Sequence, residues 1–363
     1  MCAQHSDKKG QENSMSDAAR HQALARIRAA QSQRRTPEHW AQEIQSGNRD
    51  ALSQAITLTE SQRLEDLEYL TAILQALDNL TPQGRSIPFR MGITGVPGVG
   101  KSTFIEQFGQ MLIEDGHRVA VLAIDPSSAR THGSLLGDKT RMEALSRSPQ
   151  AFVRPSPTAS NLGGVARGTH EAILLCEAAG YDRIIVETVG VGQSETEVRN
   201  LTDAFVLLML PGGGDELQGI KRGIMEMADL ILVNKDDGLS RAQARETAAQ
   251  YQQALHLFPP TPGGHTIRVL TASALESKGI RQASDAVEQL IHSWRENDWF
   301  EEQRQQQRLH QLDSHVSTIL RLQRAHHNDG TATTWDSLRT QVLNGTRHPL
   351  DAAQHWLKNN VES

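Results

Sequence analysis

Between residues 89 and 274, short apolar runs alternate with stretches whose apolar positions recur every three or four residues. The runs Phe89–Thr94, Val119–Ile124, Arg183–Glu187, Ala204–Leu210, Leu230–Val233 and Ile267–Thr271 each have the length of one buried strand. Thr103–Gly116 instead sets Phe104, Phe108, Met111 and Leu112 on one helical face. Continuous apolar strands separated by helices predict an α/β unit, a mostly parallel sheet covered by helices on both faces. That unit is assigned residues 85–280.

The flanks read differently. Residues 1–35 are polar, rich in Gln, Arg, Ser and Ala, and are expected to form a disordered arm, with Met15 a second plausible start. An N-terminal helical extension is assigned to 36–84. Thr36-Pro37 supplies a helix start there, and Leu64, Leu67, Leu70, Leu74 and Leu77 form a stripe expected to pack in the core. Gly84 and Pro88 break the chain before the first strand. A C-terminal helical extension is assigned to 281–363. In it Leu309, Leu312, Val316 and Ile319 make a short coiled-coil-like seam, and lesser stripes hold Trp335, Leu338, Val342 and Ala353, Trp356, Leu357. The seam is too short for an independent coiled coil; it packs on its own domain or on a second subunit, and the expectation is a homodimer through this extension.

Composition narrows the classes. The 363 residues are 37% hydrophobic and 4% aromatic, so a long polar segment sits beside an ordinary core. A net charge of −6, with no basic block, argues against nucleic acid as a partner. Cys2 and Cys176 lie far apart and give no disulfide framework, which fits a reduced compartment. The longest aliphatic run, Phe205–Leu210, is too short to span a bilayer, so no membrane association is expected and the chain is assigned to the cytoplasm.

The chemistry gathers around Gly95-Val96-Pro97-Gly98-Val99-Gly100-Lys101-Ser102, followed by Thr103. This stretch fits G-x-x-x-x-G-K-[ST] and lies between a strand and a helix, which defines a P-loop nucleoside-triphosphatase. Its glycines let successive N–H groups converge on a phosphate, and the helix that follows turns its positive end on the same anion. Lys101 reaches the outer phosphates and Ser102 offers a hydroxyl to magnesium. Asn234-Lys235-Asp236-Asp237, after the strand at Leu230–Val233, fits the guanine-reading pattern N-K-x-D. A carboxylate at Asp237 matches guanine's two adjacent donors and would be stranded against adenine. Ser273-Ala274-Leu275 follows the last strand and supplies the loop that backs the base. Glu187-Thr188-Val189-Gly190 stands where most GTPases have Asp-x-x-Gly: the acid holds magnesium and Gly190 senses the terminal phosphate. Two loop acids, Asp125 and Asp138, are candidates for metal work; the plain alternative for each is an exposed loop acid. Gln193 is the candidate to position water, Lys101 and Arg141 to offset charge.

The order of these pieces resembles the MeaB/ArgK-like GTPases, chaperones of adenosylcobalamin-dependent methylmalonyl-CoA mutase. The resemblance is carried by Gly-Val-Pro-Gly-Val-Gly-Lys-Ser-Thr, Ile-Asp-Pro-Ser-Ser, Gly-Asp-Lys-Thr-Arg-Met, Glu-Thr-Val-Gly-Val-Gly-Gln-Ser-Glu and Pro-Gly-Gly-Gly-Asp-Glu-Leu-Gln-Gly-Ile-Lys, over roughly residues 85–280. It implies GTP/GDP and magnesium as cofactors, with Ser102, Asp125, Asp138 and Glu187 around the metal, and the mutase and a second copy of the chain as partners. It also implies that 211–221, with Asp215, Glu216 and Lys221, is a mobile switch relaying the nucleotide state. The alternatives are a nickel- or cobalt-type metal-insertion GTPase, which needs clustered soft or imidazole ligands that the sequence shows only as scattered His, and the older label of an amino-acid transport kinase.

Overall fold

A computed structural model describes residues 35–61, 63–81, 84, 86–124, 142–155, 168–188, 194–212, 222–326, 335–344 and 346–360. Three helices lead in: α1 (Pro37–Gln45), α2 (Arg49–Thr59) and α3 (Leu64–Leu80). Local capping starts the first two. Thr36 Oγ1 accepts from the amide of His39 at 3.2 Å ahead of Pro37, and Asn48 Oδ1 accepts from Asp50 and Ala51 at 3.0 and 3.1 Å.

The central unit then runs β1 (Phe89–Gly95), α4 (Lys101–Glu114), β2 (Val119–Ile124), α5 (Glu143–Arg147), β3 (Ala151–Pro155), α6 (Thr169–Ala178) and β4 (Arg183–Thr188). It continues with α7 (Ser194–Arg199), β5 (Ala204–Met209), α8 (Arg222–Met227), β6 (Leu230–Val233), α9 (Arg241–Leu255), β7 (Arg268–Thr271) and α10 (Ile280–Glu296). The last helices are α11 (Trp299–His326), α12 (Trp335–Leu343) and α13 (Pro349–Asn360).

The seven strands form one parallel sheet in the order β3-β2-β4-β1-β5-β6-β7. The α/β expectation therefore holds, with one strand more than the apolar runs indicated: β3 lies at the sheet edge. Each face buries its own layer. On one, Ile184, Val186, Phe205 and Ile231 pack with Ile173 of α6 and with Ile44, Leu52, Ile56 and Ile73 of the leading helices. On the other, Ile93, Val121, Ile185 and Val206 meet Phe104 and Phe108 of α4 and Val287, Ile291 and Trp294 of α10. Each such side chain contributes about 1.5–3 kcal/mol by leaving water. Of the α3 stripe, Leu70 and Leu77 are buried, while Leu64 and Leu67 are only half-buried.

The C-terminal helices depart from the pattern read in the sequence. α11 turns its polar face inward: Gln303, Arg304, Gln307 and Gln311 are buried. Arg304 clasps Asp203 with two bonds of 2.7 Å and donates to Pro88 O at 2.7 Å; Gln303 and Gln307 donate to Thr202 O at 3.1 and 2.8 Å. Leu309, Leu312, Val316 and Ile319 lie on the exposed side, so the seam does not pack on the described residues of its own chain. Leu338, Ala352 and Trp356 close a small separate core between α12 and α13; Ala352, not Ala353, faces it.

Candidate functional site

The carboxyl ends of β4, β1, β5, β6 and β7 stand in a row, and the loops that leave them carry the motifs. The parallel register sets Ile93 of β1 opposite Glu187 of β4, so the phosphate loop and the Glu187 motif leave neighbouring strands at the same level. Buried Thr188 Oγ1 donates to Thr94 Oγ1 at 2.7 Å and pins the two strand ends together.

The phosphate loop has the backbone its glycines allow. At Gly95 a Cβ would lie 2.5 Å from Leu208 O of the next strand, and Gly100, with φ of 93°, would drive one to 2.8 Å from the Asn234 amide nitrogen. At Gly95 a side chain would displace the main chain, and at Gly100 it would be strained by the backbone angle and would push aside the Asn234 carboxamide. Gly100 opens α4, so Lys101, Ser102 and Thr103 form that helix's first turn. Val99 is buried beneath the loop, whereas Pro97 and Gly98 are exposed. Lys101 is buried, and its ammonium folds back over the loop to donate to Gly95 O at 2.7 Å. A second contact, to Val96 O, is 3.4 Å.

Ser102 Oγ and Glu187 Oε1 approach to 3.3 Å, with Glu187 buried. A hydroxyl and a carboxylate oxygen are hard donors, and cis ligands of an octahedral magnesium ion stand about 2.9 Å apart, so this pair fits that cation. Asp125, Asp138, Arg141, Gly190, Gln193, Asp215, Glu216 and Lys221 lie outside the described residues.

On the base side, the structure gives Asn234 a part that the motif does not reveal. Its buried carboxamide donates to Val99 O at 2.8 Å and accepts from Ala274 N at 3.1 Å. One side chain thus brackets the phosphate loop to the loop after β7. Lys235 adopts φ of 64°, the left-handed region unusual for lysine, and its side chain is exposed. Asp237 is half-buried, and Ser273 Oγ donates to its Oδ2 at 2.5 Å, which fixes the carboxylate's orientation. Asp236, the unspecified position of N-K-x-D, is the buried acid. Lys278 Nζ and Thr271 Oγ1 each donate to its Oδ2 at 2.9 Å. Burial works against its charge, but the bonds from Lys278 and Thr271 prevail and hold the carboxyl below its usual range. Leu275 projects into solvent beside this loop. The structure brings together Gly95, Val99, Gly100, Lys101, Ser102 and Glu187 with Asn234, Asp237, Ser273 and Ala274.

A parallel sheet carrying a glycine-rich loop into a helix, with a Ser–Glu pair and a bracketed N-K-x-D loop beside it, is a P-loop nucleotide-triphosphatase of the GTPase type. The sequence model of the family described as "Methylmalonyl Co-A mutase-associated GTPase MeaB" matches residues 52–329. The chain belongs to this family and is a GTPase. It is 56% identical over 235 residues to a "Putative GTPase" of Caulobacter vibrioides, which covers 65% of this chain and 71% of that protein. It is 51% identical over 252 residues to the mouse protein named "Methylmalonic aciduria type A homolog, mitochondrial", covering 68% of this chain and 61% of that one. Among solved structures, one described as an LAO/AO transport system kinase superimposes with a TM-score of 0.66 at 35% identity, over 90% of this chain and 98% of its own. No helix among the described residues is long and apolar enough to cross a membrane.

Proposed function

We propose that this chain binds and hydrolyses GTP at the site described, and that it uses the cycle to load or protect the cofactor of an adenosylcobalamin-dependent methylmalonyl-CoA mutase. The observation that carries the nucleotide half is the Asn234 bracket: it locks the phosphate loop to the base loop, so both ends of one nucleotide meet a single organised surface. Asp237, oriented by Ser273, accepts from guanine's two donors, while Lys235 and the Ala274–Leu275 backbone frame the base. Main-chain N–H groups of the loop 95–100, Pro97 excepted, and the first turn of α4 receive the phosphates. Lys101 is buried beside them and exchanges its carbonyl partner for phosphate oxygens.

Ser102 and Glu187 would hold a magnesium ion, with Asp125 and Asp138 as further acids; the ion supplies charge neutralisation at the transferring phosphate. Gln193 orients water. Gly190 and the segment 211–221, with Asp215, Glu216 and Lys221, signal loss of the terminal phosphate to the partner. Such a switch needs a partner that discriminates between the nucleotide states. The family description supports the mutase as that partner. The exposed seam on α11 supports a homodimer.

The test is GTP hydrolysis with and without the adenosylcobalamin-dependent mutase of the same cell. Stimulation that is lost in Lys221→Ala, with GTP affinity retained, is the expected result. Equal affinity for ATP and GTP would overturn the guanine half; neither binding nor stimulation would overturn the mutase half.

A further inference from the structure

α6 begins with Thr169, and His170 and Glu171 follow in its first turn. α11 crosses this end of the helix and presents His315. The Nε2 atom of His315 lies 3.0 Å from Glu171 Oε1, and His170 Nδ1 lies 3.7 Å from the same oxygen. One ligand atom from each residue lies within 4.8 Å of the other two, and the imidazole rings are 6.4 Å apart between centroids. Glu171 is buried at 7% exposure, the His170 side chain is 16% exposed and that of His315 is 40% exposed.

Of these groups Glu171 is the one anion, between two imidazoles, but it meets them unequally. His315 with Glu171 is a complete pair, yet His170 Nδ1 is buried and makes no hydrogen bond. The carboxylate could accept from both rings, but at 3.7 Å the His170 contact is too long for a hydrogen bond, and a buried ring nitrogen held at that distance is costly. A single cation placed among the three atoms satisfies all of them. Donor atoms around tetrahedral zinc stand about 3.4 Å apart, close to the 3.0 and 3.7 Å observed, so only the two rings need draw together. Two imidazoles and one carboxylate favour a borderline transition metal over magnesium or calcium.

We propose that His170, Glu171 and His315 form a zinc site, with solvent at the fourth position, that staples α11 to the start of α6. The ion joins the C-terminal extension to the GTPase layer by a contact far stronger than the hydrogen bonds around it. The site is separate from the Ser102–Glu187 pair and does not rest on the assignment of the nucleotide chemistry. α11 also provides an internal control. His310 faces Glu197 at 3.7 Å and Asn200 at 3.4 Å, a grouping with one imidazole only.

The experiment uses the full chain, stripped with a chelator and free of nucleotide, so that the phosphate site does not recruit metal. Zn2+ is titrated in competition with a chromogenic indicator, and Co2+ is followed by the visible absorption of a tetrahedral complex. One Zn2+ per chain is expected. His170→Gln and His315→Gln should each weaken it by at least about tenfold, since even the groups that merely orient metal ligands commonly matter that much. His310→Gln should leave affinity unchanged. Zn2+ should also raise the unfolding temperature of the wild type but not of the two ligand variants. Should His170→Gln fail to fold, His315→Gln, at the more exposed position, carries the comparison. Absence of stoichiometric Zn2+ binding, or equal affinity in the wild type and His315→Gln, would overturn the site.

Discussion

Asn234 is small, but two loops depend on it. Its Nδ2 donates to Val99 O at 2.8 Å, its Oδ1 accepts from Ala274 N at 3.1 Å, and the residue is 2% exposed. Asn234→Ala leaves a carbonyl and an amide without these partners at a site that excludes water. Stranding one buried polar group costs about 1–3 kcal/mol, so about 2–4 kcal/mol is expected for the pair after some relaxation. Because the bracket orders the phosphate and base loops together, most of this should appear as lost GDP and GTP affinity. At 1.4 kcal/mol per decade that is roughly 30- to 700-fold. Asn234→Asp keeps the shape but sets a carboxylate oxygen against Val99 O, so it should be at least as damaging. Fluorescent-GDP titration gives the affinity and urea unfolding the stability. An alanine variant within about threefold of wild-type affinity, with unchanged stability, would refute the bracket. An aspartate variant clearly milder than alanine would refute the donor assigned to Val99.

Three further outcomes are expected. Lys101→Ala should abolish turnover, whereas Glu187→Gln should bind GTP but need much more magnesium for hydrolysis, with loss on the order of 100-fold at limiting metal; a magnesium dependence equal to wild type would refute the Ser102–Glu187 assignment. His265 is pushed down to about 4, first by burial and then by the charge of Arg199, against about 6.5 in the unfolded chain. The folded state therefore binds fewer protons, and stability should fall as pH drops from about 6.5 to 4. Asp229 beside it, pushed up to about 6 by burial against the pull of Arg199, acts in the opposite sense and offsets much of that loss between about pH 6 and 4. His265→Asn should flatten the decline in urea midpoints, and an equally steep decline would refute it. Light scattering should find a homodimer that Leu312→Glu splits without unfolding, since Leu312 is 58% exposed in the single chain; a monomeric wild type would refute the seam as an interface.

What the sequence revealed, and what it hid, follows from how far each interaction reaches along the chain. The phosphate loop, the Glu187 motif and N-K-x-D were legible because each is a local run whose residues share one strand end. β3 was not. Ala151–Pro155 is short, includes Arg154 and ends in proline, a residue that a sheet tolerates at its edge, where β3 lies. The bracket at Asn234 was hidden for a different reason. The motif indicates an asparagine, but its partners Val99 and Ala274 are brought to it only by the strand order β1-β5-β6-β7.

α11 shows the limit most clearly. Its leucine seam repeats at the spacing of a buried face, yet the residues it buries beside Phe300, Thr318 and Leu322 are Gln303, Arg304, Gln307 and Gln311. Periodicity finds a face that avoids water; it cannot find a face that water is replaced on, one hydrogen bond at a time. Here the partners are main-chain carbonyls at Pro88, Thr202 and Asp203 and the Asp203 carboxylate, which also accepts from Arg90 N at 2.8 Å. Asp203 thus ties the start of β5 and the start of β1 to one helix. That is the amino edge of the sheet, whereas α6 opens at the carboxyl edge and runs back, so its start lies on the nucleotide side. From Arg304 to His315, α11 therefore passes from one edge to the other. Polar docking along that path leaves Leu309, Leu312, Val316 and Ile319 of the same helix exposed, the surface that the proposed dimer would cover. The hydrogen bonds that fix α11 and its exposed leucines lie on different sides of the helix, so Leu312→Glu tests the proposed dimer without removing a docking hydrogen bond.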